Sequence, residues 1–175
     1  MSGASARPAA DTGGPGPSRV EAAAHADRAE LTRQLPRALA WAERLAAETA
    51  ARGVPLATAG RRLAAAVGVQ RPELIRIVEL GELPLPADAA LREAARRCGF
   101  PPAGWVALTL GYGILILTGQ SSSRLLSHEC RHVYQYETAG SIRAFLSQYL
   151  DELVNHGYRH APLEIDARRF ELDGT

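Results

Sequence analysis

At 175 residues and 18.7 kDa the chain is sized for one compact domain with some tail, and its 46% hydrophobic content suffices for a single sizeable core. Formal net charge is +1 and every one of the 20 basic residues is arginine. Beside so much alanine this looks like genomic composition bias, and without aromatic interleaving or a groove-reading motif it argues against nucleic acid as a partner.

The two cysteines, Cys98 and Cys130, show neither CxxC spacing nor a disulfide framework. They are expected to be reduced thiols in a cytoplasmic protein. The N-terminus has no basic start followed by an apolar run, so no signal peptide is expected. The most apolar window, WVALTLGYGILILTG, is short for a bilayer span and broken by Gly-Tyr-Gly, so no membrane contact is expected.

Along the chain, residues 1–18 are rich in Ala, Gly, Pro and Ser and predict a disordered tail. Residues 19–70 form an alanine-rich helical region, in which Pro36 is expected to open a second helix and TAGRRLAAAVGV a further short one. The rest, 71–175, carries the chemistry. Leu74 to Leu80 reads as a strand, and Asp88 caps a helix ending where Cys98 meets Gly99. Two apolar runs, WVALTL and GILILT, flank Gly111-Tyr112-Gly113, which is either a hairpin turn or a bulge in one long strand. Helices then follow from about Ser123 to Ala139, from Ser141 (as cap) to about Gly157, and from Pro162 through PLEIDARRFEL. The second has apolar residues at i, i+3, i+4, i+7 and i+8 from Ile142, an amphipathic pattern.

The stretch LLSHECRHVYQYETAG raises the functional question. His128 and His132, four apart on a helix, lie on one face and aim two imidazoles at one point. Glu129 stands about 100° further round, able to reach a metal-activated water without taking a coordination position. This H-E-x-x-H pattern suits Zn2+: the metal lowers the pKa of a water and the glutamate accepts its proton. The plain alternative is a polar helix face whose histidines bond to neighbours. Apolar Leu125, Leu126, Val133 and Tyr136 around the histidines predict a buried face, where such groups need a partner or an ion. Candidates for a third ligand are His156, His160, Glu164 and Asp166; rigid placement in the first turn of a helix favours Glu164. Tyr158 or His160 could donate to an oxyanion or support a ligand. Gln135 and Tyr136 continue the motif face, with packing the simpler role, and Cys130 reads as a small buried residue.

LLSHECRHVYQY, preceded by an apolar strand and followed by APLEIDAR, resembles the zincin-like metallopeptidases with a glutamate ligand. More narrowly it is similar to small bacterial zincin-like proteins in which a TLG strand precedes HExxHxxQ and a Pro-x-Glu helix follows. The likeness runs from about Pro72 to Arg169. It implies a minimal zincin-like α+β domain, with a small β-sheet packed on the motif helix and two further C-terminal helices. It also implies Zn2+ on His128, His132 and Glu164, Glu129 as general base, a substrate-binding strand edge, and a peptide or protein substrate. Arg168 stands where peptidases of this kind carry a histidine-orienting Asp, four residues beyond the glutamate ligand, so that support must come from elsewhere. The His132–Glu164 separation is longer than in the best-known members, and no second lobe is evident. A zinc-stabilised accessory domain without efficient turnover is therefore the second reading.

Overall fold

The computed structural model describes residues 19–173; the expected tail at 1–18 lies outside them. The architecture is α+β. In chain order the elements are α1 (Arg19–Arg52), β1 (Val54–Pro55), α2 (Thr58–Ala66), β2 (Arg76–Leu80), α3 (Ala89–Arg97), β3 (Ala107–Leu110), β4 (Gly113–Leu117), α4 (Ser123–Ala139), α5 (Ile142–His156) and α6 (Pro162–Arg169). Single 3-10 turns occupy Pro72–Leu74 and Tyr158–His160.

The strands form one mixed sheet in the order β1-β2-β4-β3. β2 runs parallel to β4, while β1 and β3 are antiparallel to their neighbours. Gly111-Tyr112 is a hairpin turn, with Leu110 facing Gly113 across it. Gly111 has φ +60°, a conformation that favours glycine at the first central position of a tight two-residue hairpin. β3, which carries Thr109-Leu110, is thereby the edge strand beside the motif helix, and β4 lies inside the sheet.

Side chains alternate across the strands. Ile114, Ile116 and Ala107 share one core with Cys130 and Val133 of α4 and with Ala64 and Val67 of α2 and its C-terminal end. The N-terminal region and the motif helix are thus built into one interior. On the opposite face α1 lies directly on the sheet: a Cβ at Gly113 would stand 2.9 Å from Thr49 Cγ2.

α1 is one helix with Pro36 inside it, where the sequence predicts two. Proline withholds the N–H that the Thr32 carbonyl would accept and normally breaks a helix. Pro36 is exposed, so water can take the missing partner's place. Burial of Ala38, Leu39 and Ala42 on one side of it, and the Arg28 contacts to Asp151 and Asn155 of α5 on the other, carry the helix across. Local chemistry sets the later helices as the sequence predicts. Asp88, Ser122 and Ser141 each cap a helix by accepting a backbone N–H three residues on, and Gly140 ends α4 at φ +79°. α6 stops at Arg169, short of the predicted PLEIDARRFEL, and the released Glu171 turns back toward α4.

Candidate metal centre

α4 presents His128 and His132 one turn apart, and α6 brings Glu164 over them. The three residues are 9%, 8% and 2% exposed, so the site is an interior one. His128 Nε2 and His132 Nε2 are 3.2 Å apart. Glu164 Oε2 lies 3.5 Å from the first and Oε1 3.5 Å from the second. A tetrahedral ion with bonds of about 2.0–2.1 Å sets its ligand atoms about 3.3 Å apart, so these separations match such a cage.

The hydrogen bonds behind the histidines determine which nitrogens face inward as lone pairs. His128 Nδ1 lies 3.1 Å from Glu171 Oε1, and a carboxylate accepts, so this Nδ1 carries the proton. Gln135 donates its amide to Leu163 O and Asp166 Oδ2 at 2.9 and 2.8 Å. Its carbonyl oxygen therefore faces His132 Nδ1, at 2.8 Å, and that nitrogen is also the donor. Both Nε2 atoms then aim electron pairs at each other and at a carboxylate. Glu164 Oε2 is buried with no hydrogen-bond partner, and the Arg168 guanidinium approaches it only to 3.6 Å. Burying such atoms unpaired is costly; a cation at their centre satisfies all of them.

Without an ion, a proton meets part of this demand. Burial by itself lowers the His132 pKa, but the Glu164 carboxylate outweighs it and raises the imidazole to about 9. Burial likewise works to raise Glu164, and the two histidines overcome it, holding its carboxyl well below the usual range.

Neighbouring groups lock the arrangement. Tyr149 of α5 donates to Glu164 Oε1 at 2.8 Å, leaving Oε2 as the uncommitted oxygen. Asp166 is gripped by Arg131 at 2.7 and 3.1 Å, and Arg131 is itself stacked between the rings of Tyr134 and Phe170. Support for the histidines thus comes from Glu171, seven residues beyond Glu164, and from Gln135, with Arg168 taking no part in it.

Glu129, 6% exposed, sits beside the cluster and shares its cavity. Its Oε2 accepts from Thr109 Oγ1 of β3 at 2.6 Å, which leaves Oε1 as the other proton acceptor. Tyr158 lines the same cavity; burial, then the nearby Glu164 charge, raise its hydroxyl pKa, so it stays a donor. His156 and His160 are exposed and stand outside the cluster, and Asp166 serves Gln135 and Arg131 instead. Cys130 is buried in the core, its thiol pushed up by burial to about 12.

Sequence reasoning missed Tyr149, Glu171 and Thr109. A tyrosine in an otherwise apolar stripe is a usable signal, since its hydroxyl needs a partner when buried. Glu171 carried none, because its role depends on α6 ending early. No protein-family model, curated protein or solved structure matches the chain. Among the described residues, no helix is long and apolar enough to cross a membrane.

Proposed function

We propose that the chain is a zinc-dependent hydrolase of minimal zincin-like design, acting on an amide or peptide bond. The observation that carries this reading is the convergence of His128 Nε2, His132 Nε2 and the Glu164 carboxylate, with both Nδ1 atoms tied to acceptors. Two imidazoles and one carboxylate are the donor set of catalytic zinc sites that keep an open position. The ion, when bound, supplies Lewis acidity toward a water and a carbonyl oxygen. Glu129, steadied by Thr109, accepts the proton of the attacking water and returns it to the leaving amine. Tyr158 donates a hydrogen bond to the oxygen that becomes negative, and the apolar walls keep bulk water out.

A zinc-stabilised accessory domain is the second reading, favoured by the deep burial of the three ligands. Glu129→Ala separates the two. The hydrolase reading expects the purified variant to retain one zinc per chain while losing cleavage of a broad library of short amides and peptides. Wild type that holds zinc and cleaves no library member supports the accessory reading. Purified wild type without stoichiometric metal refutes both.

A further inference from the structure

The space above the ligands is small, and its walls are almost wholly apolar. It amounts to a cavity of about 120 Å³. Leu108 of β3, Leu91 of α3, Phe145 and Leu150 of α5, and Ala38 and Trp41 of α1 contribute to the walls. Among the described residues that line it there is no arginine, and the charged groups all belong to His128, Glu129, His132 and Glu164.

Size and polarity together define what fits. Sites for drug-sized ligands usually measure about 300–1,000 Å³, whereas an apolar cavity of about 150 Å³ takes up benzene. A charged group entering here would give up its hydration without a counter-ion beyond the catalytic groups. A peptide adding to the β3 edge would lie about 4.8 Å from that strand and extend about 3.3 Å per residue. Side chains of α1 and α3 line the same cavity as Ala107–Leu110 of β3.

Resting on the hydrolase reading, we infer that the substrate is a small molecule presenting one neutral apolar group, of benzene or isobutyl size, beside the bond to be cut. An extended polypeptide does not fit the protein as folded. α1, part of the alanine-rich N-terminal region, is on this inference a specificity-determining wall.

The chain has two tryptophans, and both Trp41 and Trp105 line the cavity, so their indole N–H resonances report its occupancy. In metal-free full-length protein, toluene is expected to shift both signals saturably, and benzylamine, the same shape with a charge, to bind at least tenfold more weakly. Ala38→Leu, which fills the cavity from α1, should weaken toluene at least tenfold; Ala95→Leu makes the same test from α3 should the first variant not fold. In zinc-loaded protein, benzohydroxamate should bind at least tenfold more tightly than acetohydroxamate, and a hydroxamate carrying a six-residue peptide no better than acetohydroxamate. Unmoved indole signals with toluene, benzylamine binding as well as toluene, or tight binding of the peptide hydroxamate would overturn the inference. Toluene binding without any hydroxamate binding supports the pocket and counts against the metal reading alone.

Discussion

At the scale of single residues, the proposed centre depends on groups that would not touch an ion bound there. Glu171 and Gln135 hold the two imidazoles by Nδ1, and removal of such partners typically costs 10–100-fold in metal affinity. Glu171→Ala and Gln135→Ala are each expected to weaken zinc by about that factor in competition with a chromogenic chelator. Arg168→Ala, which removes a guanidinium 3.6 Å from Glu164 Oε2, should change affinity less than either. The His128–His132 pair was legible from spacing, because an i, i+4 pair is a local fact; Glu164 was one of four candidates, preferred for its place at the start of a proline-started helix. Glu171 was not legible. Its approach to His128 spans 43 residues and exists because α6 stops at Arg169, a tertiary outcome with no local marker. Gln135 was visible at i+3 from His132, but spacing could not separate a bonding role from a packing one.

At the scale of elements, the capped helices and the strand pair were readable because each boundary is chemical: a serine or aspartate before, a glycine after. α1 was misread for the opposite reason. Pro36 is a correct local signal for a break, and long-range packing overrides it. The local cost should persist as a stability term. Proline in a helix interior is worth about 3 kcal/mol against alanine, less about 0.4–1 kcal/mol because proline also restricts the unfolded chain. Pro36 is exposed, so its replacement disturbs no core. Pro36→Ala is therefore expected to stabilise the protein by about 2 kcal/mol and raise its melting temperature by about 4–8 °C, read by circular dichroism on metal-free protein. An unchanged melting temperature would mean that the helix has already absorbed the defect elsewhere.

At the scale of the whole molecule, an ion bound at the proposed centre would join α4 to α6 and so add to the stability of the folded state. Free zinc at about 1,000 times its Kd should contribute about 4 kcal/mol, a rise of about 10 °C in melting temperature that a strong chelator reverses. The pH dependence has a defined sign. The His132 imidazole holds its proton up to about 9, and a bound imidazole must be neutral, so each ion that binds displaces a proton. Zinc affinity is expected to rise about tenfold per pH unit below that point and to weaken as pH falls; calorimetry in buffers of different ionisation enthalpy would count the released protons. A flat profile between pH 6 and 8 would contradict a site in which the metal replaces a proton.

The fixed tautomers of His128 and His132 have one more consequence, for the choice of ion. Their Nε2 atoms stand 3.2 Å apart and each lies 3.5 Å from one oxygen of the Glu164 carboxylate, Oε2 for His128 and Oε1 for His132, so little ordering would remain for an ion to impose. A preformed cage with two nitrogen donors discriminates by shape and softness. Magnesium requires six oxygens in an octahedron and calcium six to eight at longer range, and neither finds them here. Copper is the rival that such donors prefer on affinity alone. If the proposed centre holds a metal, selection against copper would fall to metal supply, and selection against the abundant hard cations to the donor set itself.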